Sequence, residues 1–338
     1  MKNIKNIFLM TIIIILFLVG TTFYLKEDWR YYNAEINLEN NSEKNSSKVE
    51  VLGNDVGRVY ISKEDKVIEI QVDEYIKGVV SAEMPANFNI EALKAQAVAA
   101  RTFYFAKRAF PCSRNSGAEI CDTTHCQVYM SKEERMNSFE KSKREEYFNK
   151  ITEAVESTKG QVLTYNGELI KYPQFFATSS GQTESAIDVF SEDVPYLKSK
   201  ESSGEEVAPK FESIKDIEIS EFITKVNNEY SKANLKKDSL EEDVKIESHT
   251  EGGSIKKLKL GKEYISGIEF RKMFDLNSAN FTIDILEGTV RINCKGYGHG
   301  LGMSQWGAKA MGDKENGYEQ ILKYYYSGVE ISEVRYVN

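Results

Sequence analysis

The sequence YIKGVVSAEMPANFNIEALKAQAVAARTFYFAKR, residues 75–108, determines the predicted fold. Asn89 is a suitable N-cap, because its side chain can accept a hydrogen bond from the first helical turn, and residues 90–108 that follow are mostly strong helix formers. The middle of this predicted helix, Ala95 to Ala100, consists almost entirely of small side chains. Since small side chains let other elements approach closely, we expect this helix to lie at the centre of its domain.

Strand patterns occur on both sides of this helix in the sequence. Asn166-Gly167 and Gly288 each lie between two runs of strand composition, which is typical of hairpins. The helix and strand patterns together predict an α+β fold in which the central helix packs on a mixed or antiparallel sheet. The predicted strands are Val67–Val72, Gln161–Tyr165, Glu168–Tyr172, Phe281–Leu286 and Thr289–Asn293.

Composition changes along the chain and indicates an insertion. Residues 200–280 are dense in Lys, Glu and Asp, and they are predicted to form an inserted, smaller α+β subdomain. The main domain is then built from residues 49–199 and 281–338. With 338 residues, 41% of them hydrophobic, the chain can bury a sizeable core. The net charge of −8 gives no indication of a nucleic-acid partner, which would favour a basic patch.

The N-terminus predicts a membrane anchor. Lys2 and Lys5 precede an uncharged apolar run at residues 7–25, long enough to cross a bilayer as a helix, and positive flanks stay in the cytoplasm. We therefore expect a cytoplasmic tip at residues 1–6, a single transmembrane helix at 7–25, a flexible tether at 26–48 and an extracytoplasmic remainder. A cleaved signal peptide is the alternative, with a shorter apolar core ending at a small-residue site.

Three strings carry a family resemblance: residues 75–108, the glycine-rich GYGHGLGMSQWGAKAMG at 296–312, and the weaker FFATSSGQTESAIDVFSEDVPYLKS between them. In this order they resemble the stage II sporulation protein D family of spore-forming bacteria. The resemblance implies a lytic transglycosylase that cleaves the bond between N-acetylmuramic acid and N-acetylglucosamine in peptidoglycan strands already stripped of stem peptides. It further implies action during engulfment, in the intermembrane space around the forespore, beside an amidase (stage II sporulation protein P) and a membrane partner (stage II sporulation protein M).

The resemblance also implies site residues in the main domain, which thus becomes the catalytic domain. The catalytic glutamate corresponds to Glu83, two basic helix residues to Lys94 and Arg101, and a later substrate-binding pair to Tyr196 and Lys198. One carboxyl group is enough for a lytic transglycosylase, because the 6-hydroxyl of the muramic acid attacks its own sugar, so no cofactor is required for the chemistry. Glu83 must then be protonated, which requires a dry pocket. A cation against Glu83 would oppose this, so we expect Lys94 and Arg101 to contact the sugar's lactyl carboxylate or to orient Glu83 through longer bonds.

The glycine-rich string suits close approach of the backbone to a ligand. His299, within it, is predicted to hydrogen-bond a sugar or a catalytic partner, and Gln305 opens a predicted helix at its end. We assign both to substrate binding. The string is not a dinucleotide fingerprint, because it lacks the βαβ context and the following acidic residue.

Cys121, His125 and Cys126 form a second group with zinc-ligand chemistry. A structural zinc needs four ligands, so the fourth would come from water or from elsewhere in the chain. A disulfide between Cys112 and either Cys121 or Cys126 is the alternative. A zinc here is expected to shape the loop rather than break bonds.

Two other functions remain open from the sequence. One is a zinc-dependent cell-wall amidase or peptidase that uses the same three ligands, and the other is a non-catalytic peptidoglycan-binding scaffold. If the reaction were a hydrolysis, a second carboxylate would be needed, and Glu91, Glu184 and Asp188 are the candidates.

Overall fold

The computed structural model describes residues 47–114 and 117–337. This part of the chain has a mixed α+β fold, as predicted. Its helices are α1 (Val72–Glu83), α2 (Ile90–Ala109), α3 (Lys132–Ser138), α4 (Arg144–Glu156), α5 (Ala186–Phe190), α6 (Ile219–Glu229), α7 (Leu240–Asp243), α8 (Gly267–Phe274), α9 (Gln305–Gly312) and α10 (Tyr318–Tyr325). Its strands are β1 (Lys48–Leu52), β2 (Val56–Ile61), β3 (Lys66–Gln71), β4 (Ile120–Cys121), β5 (Gln161–Tyr165), β6 (Glu168–Leu169), β7 (Phe175–Phe176), β8 (Glu212–Glu218), β9 (Val244–His249), β10 (Ile255–Leu260), β11 (Glu263–Ile265), β12 (Phe281–Leu286), β13 (Thr289–Lys295), β14 (Met303–Ser304) and β15 (Glu330–Val337).

Helix α2 lies at the centre of the first hydrophobic core. Asn89 caps it, since its side chain accepts a hydrogen bond of 2.9 Å from the Ala92 N–H. The small residues along its middle are fully buried, and the helix contacts α1, α4, α9, α10 and β5. Both sequence predictions for this helix, the cap and the central position, are confirmed.

The sheet beside α2 is mixed. Its strand order is β1-β15-β5-β6, with β1 parallel to β15 and the other neighbours antiparallel. The predicted hairpin between β5 and β6 turns at Asn166 and Gly167, which have φ angles of 53° and 81°. Two left-handed residues in succession are what a two-residue hairpin loop requires, so this prediction is confirmed.

A second hydrophobic core lies in the later part of the chain. It contains buried side chains from Ile217 to Cys294 and two three-stranded sheets, β11-β10-β9 and β12-β13-β8. The hairpin β12–β13 pairs with β8, so its side chains belong to this second core. The domain boundaries at residues 200 and 280 stay a prediction, and we use "insert" below for residues 200–280.

The predicted cytoplasmic tip (1–6) and anchor (7–25), and all of the tether (26–48) except its last two residues, lie outside the described residues. Within the described part, no helix combines the length and apolar character needed to span a bilayer.

The glycine-rich segment joins the two halves of the main domain. Strand β14 pairs in parallel with β7, and Tyr297 and Leu301 form bridges to Thr178 and Glu184. Gly302 has a φ of 72°, and a Cβ there would lie 2.0 Å from the Gln174 carbonyl oxygen. Only glycine therefore allows this close backbone approach.

Candidate functional site

Glu83 is the last residue of α1, and it lines a cleft of about 630 Å³. The cleft is built from the end of α1, helix α2, the loop around His125, the strand β7 region and the glycine-rich segment. One carboxylate oxygen of Glu83 accepts a hydrogen bond of 2.8 Å from the Val128 N–H. The acid predicted to be catalytic thus lies in a half-buried position beside the glycine-rich segment.

Burial raises the pKa of Glu83, while hydrogen bonds from the Val128 N–H and from the Gln305 side chain partly oppose this rise in pKa. No charged side chain contributes to the shift. The C-terminal end of a helix also disfavours a negative charge, which acts in the same direction as burial. The environment therefore favours the protonated carboxyl group that a proton donor needs.

The charges around the cleft are distributed unevenly. Among the described residues that line it, Glu83 is the single carboxyl group, and Lys107, Lys171 and Arg271 are the cations. The rest of the wall is rich in rings: Phe103, Phe110, Tyr172, Phe175, Phe176, Phe190 and Tyr297. A cleft with aromatic walls and excess positive charge fits an anionic sugar chain, although the whole chain carries a net charge of −8.

His299 and Gln305 both line the cleft, and Gln305 contacts Glu83. Gln305 is buried at the start of α9, and its Nε2 also donates to the Gln96 side chain over 3.3 Å. Burial, with a smaller contribution from Arg271, lowers the pKa of His299 to about 4, so its imidazole is neutral. Its Nδ1 accepts from the Leu301 N–H at 3.1 Å, and it also bonds the Phe175 backbone. The imidazole of His299 is therefore already hydrogen-bonded to backbone groups, and its predicted hydrogen bond to a sugar stays a prediction.

Lys94 and Arg101 do not line the cleft. Arg101 is 1% exposed and forms an ion pair with Asp73, with an Nη2–Oδ1 distance of 2.9 Å. The structure thus contradicts the expected contact of Arg101 with a sugar carboxylate, because a guanidinium buried inside the core cannot reach a ligand. The Lys94 ammonium lies 2.8 Å from Glu91 and above the Tyr318 ring, also away from Glu83.

Tyr196 and Lys198 also lie outside the cleft lining. Tyr196 is buried, and its hydroxyl oxygen accepts from the backbone N–H groups of Lys171 and Tyr172 at 3.1 Å each. It therefore holds in place a segment that does line the cleft. Lys198 is exposed and pairs with Asp193 at the surface.

The three candidate second carboxylates are elsewhere. Glu91 bonds the Lys94 ammonium and the Tyr318 N–H. Glu184 and Asp188 line a separate small cavity of about 70 Å³. None of the three lines the cleft that contains Glu83.

Four metal-ligating side chains converge next to the cleft. The ligand atoms of Cys112, Cys121, His125 and Cys126 lie within 4.8 Å of one another, and no disulfide joins the cysteines of the described chain. The distances from His125 Nδ1 to the three sulfur atoms are 3.4, 3.7 and 3.5 Å. A tetrahedral zinc ion would separate nitrogen and sulfur ligands by about 3.5 Å, so these residues fit zinc.

Cys112 supplies a fourth potential metal ligand, which the sequence left open. From the sequence, Cys112 is a candidate for a disulfide only, because no local sequence pattern shows that its loop returns to Cys121. His125 and Cys126 line the cleft, and Val128, which donates to Glu83, follows two residues later. A metal bound here would therefore hold the loop that orients the acid.

Glu205, a buried carboxyl group, was also not identified from the sequence. It accepts hydrogen bonds from the Ser179 N–H and from the hydroxyls of Ser179, Ser202 and Ser304. Ser304 is the N-cap of α9, whose first residue is Gln305. Glu205 therefore fixes the start of the helix that carries the partner of Glu83.

Comparisons with known proteins agree with one another. The family model for SpoIID, stage II sporulation protein, matches residues 60–165. Stage II sporulation protein D of Bacillus subtilis (strain 168) is 38% identical over 277 residues, which cover 81% of this chain and 78% of the relative. The protein of the same name from Bacillus amyloliquefaciens is 36% identical over the same shares. The amidase enhancer of Bacillus subtilis (strain 168) is 30% identical over 306 residues, covering 76% of this chain and 40% of that protein.

Proposed function

Because this chain belongs to the stage II sporulation protein D family, we propose that it is a lytic transglycosylase that cuts peptidoglycan glycan strands during sporulation. The bond cleaved joins N-acetylmuramic acid to N-acetylglucosamine in strands without stem peptides. The observation that carries the proposal is Glu83, the one carboxyl group among the described residues of an aromatic-walled cleft, whose pKa is raised by burial.

The chemistry uses Glu83 twice. The protonated carboxyl group donates its proton to the departing oxygen of N-acetylglucosamine as the bond to muramic acid C1 breaks. The resulting carboxylate then takes the proton of the muramic acid 6-hydroxyl while that oxygen bonds to C1. The product is a 1,6-anhydro sugar, and no water is consumed. The Val128 N–H and Gln305 orient the carboxyl group throughout.

Hydrolysis is a poorer fit to the cleft. Hydrolases that act on glycosides require a second carboxylate, as nucleophile or as base, within about 10 Å of the first. Among the described residues lining the cleft there is no second carboxyl group. The intramolecular hydroxyl removes the need for one.

A zinc amidase is also a poorer fit. A catalytic zinc keeps one coordination position open for water, whereas Cys112, Cys121, His125 and Cys126 offer four protein ligands. A zinc ion held by these residues would cross-link the loop and supply structural stability. We propose that role, and no step of the reaction depends on it.

We further propose the setting implied by the family. The N-terminal run at residues 7–25 would anchor the chain in the cell membrane, with the described residues in the intermembrane space around the forespore. An amidase and a membrane partner, stage II sporulation proteins P and M, would act beside it. The relative named amidase enhancer supports cooperation with an amidase, since it shares 30% identity with this chain.

The test uses the full chain in detergent with purified glycan strands that lack peptides. Mass spectrometry of the products should find 1,6-anhydro ends, and Glu83→Gln should slow their formation by about 10²–10⁴-fold. Glu91→Gln is the matched control, because Glu91 pairs with Lys94 outside the cleft. Reducing ends in place of anhydro ends would rule out the transglycosylase, and unchanged activity of Glu83→Gln would rule out the acid.

A further inference from the structure

Arg271 is a cation that the insert contributes to the cleft. It lies on α8, which begins with a capping box between Ser266 and Glu269 and is therefore firmly positioned. The Arg271 Nε donates to the Leu276 carbonyl oxygen over 3.2 Å, which fixes the direction of the guanidinium. The side chain borders the Glu83 cleft and also the small cavity beside it.

The guanidinium of Arg271 retains N–H donors that a ligand could use. Within the described part of the chain, its recorded hydrogen bond is the one from Nε, and no carboxylate forms an ion pair with it. The carboxylates of the neighbouring small cavity form no ion pair with Arg271 in the described chain: Asp188 pairs with Lys256 at 2.9 Å, and Glu184 accepts from the Ser254 N–H at 3.1 Å through one oxygen, while its other oxygen has no hydrogen-bond partner. Burial lowers the pKa of Arg271, and the nearby Asp275 partly opposes this without forming an ion pair in the described chain. The nearby His299 is neutral and cannot neutralise an anion.

The other two cations of the cleft have different surroundings. The Lys171 ammonium is 4.7 Å from the centroid of the Tyr172 ring, and the Lys107 ammonium is 5.7 Å from that of Phe103. Both are point charges on flexible stems, placed above aromatic faces. Arg271 is a half-buried planar fork, which matches the two oxygens of a carboxylate in a bidentate pair.

We propose that Arg271 binds the free lactyl carboxylate of muramic acid and makes the cleft selective for strands whose peptides have been removed. This inference rests on the proposed function. In an intact strand the lactyl group is joined to the stem peptide through an amide and carries no charge. Hydrolysis of that amide exposes the carboxylate, so the reaction that must supply this substrate is an amidase reaction. An amide in the same position would leave the half-buried guanidinium without its counter-charge.

The experiment compares two ligands on the full chain in detergent. The first is peptide-free glycan strands, and the second is the same strands with every carboxylate converted to a methylamide. Binding is measured in a Glu83→Gln background, so that little ligand is consumed. We expect the carboxylate strands to bind roughly 10- to 100-fold more tightly than the methylamide strands. Arg271→Gln should bring this ratio close to one by weakening carboxylate binding alone.

Arg291→Gln is the matched control, because Arg291 pairs with Asp216 on the sheet of the second core, outside the cleft. It should leave the ratio unchanged. An unchanged ratio in Arg271→Gln would overturn the proposal, as would loss of the ratio in Lys171→Gln but not in Arg271→Gln. If Arg271→Gln does not fold, Arg271→Lys gives the answer, since loss of the bidentate pair should still lower the ratio and an undiminished ratio would exclude the role.

The two proposals fail in different ways. A chain with intact Glu83 that releases no product from peptide-free strands would refute the transglycosylase. The binding ratio in the Glu83→Gln background would still report on Arg271.

Discussion

Replacing Arg101 should destabilise the protein without altering the chemistry of the folded molecule. The Arg101 guanidinium holds three elements together: it pairs with Asp73 in the first turn of α1, and it donates to the Val155 and Thr158 carbonyl oxygens at the end of α4. It also donates to the Gln161 carbonyl oxygen at the start of β5 over 3.2 Å. Arg101→Met keeps most of the volume and removes all of these donors.

The magnitude follows from the burial of the pair. Breaking a buried ion pair by removing one partner costs about 3–5 kcal/mol. The Asp73 side chain is 25% exposed and can regain water, so the lower end applies, at about 3 kcal/mol. For a domain of this size, each kcal/mol shifts the melting temperature by about 2–4 °C, which predicts a decrease of about 6–12 °C.

The assay combines thermal unfolding, followed by circular dichroism, with turnover measured well below the melting temperature. Turnover per folded molecule of Arg101→Met should equal that of the unmodified chain. Lys94→Met is the control, since its partly exposed pair with Glu91 is worth at most about 1 kcal/mol. An Arg101→Met chain that melts normally but has lost turnover would refute this reasoning and return Arg101 to the chemistry.

Four further predictions concern the cleft and the groups that support it. Because burial raises the pKa of Glu83, the proton donor is lost as pH rises through that pKa, and turnover should fall on the alkaline side. Glu83→Gln removes the proton donor and should lose about 10²–10⁴-fold in rate. Because the fold disfavours the charged form of Glu83, this variant should also melt at a higher temperature than the unmodified chain at pH 8, and the difference in melting temperature should vanish near pH 4. Cys112→Ser should reduce bound zinc, measured by elemental analysis, as much as Cys121→Ser does, whereas Cys294→Ser should leave it unchanged because Cys294 lies outside the cluster. Glu205→Ala leaves three hydroxyls and one N–H without their acceptor and should cost about 3 kcal/mol in chemical denaturation; equal stability would contradict its bridging role.

Two features show which contacts could not be predicted from the sequence: the hydrogen bond from the Val128 N–H to Glu83, and the group of four metal-ligating side chains. Cys121, His125 and Cys126 are close in sequence, so their convergence could be predicted from spacing alone. Cys112 joins them because its loop returns along β4, and the Val128 N–H reaches Glu83 across 45 positions of the chain. No local pattern encodes such contacts.

Features that depend on a few neighbouring residues could be predicted from the sequence. The Asn89 cap, the small middle of α2 and the hairpin at Asn166-Gly167 follow from backbone hydrogen bonds and steric limits within one turn. Through the family resemblance, the sequence also indicated Glu83 as the candidate acid.

The surroundings of each charged group, in contrast, depend on how distant parts of the chain pack together. Lys94 and Arg101 look like an available pair on one helix face, but α1, α4 and β5 enclose Arg101 completely. Arg271, in contrast, carries no signal in its own stretch of sequence and reaches the cleft because the insert folds against the glycine-rich segment. The free energy of a charge depends on solvent exclusion and on partners supplied by distant parts of the chain, whereas helix and turn formation depend on adjacent residues.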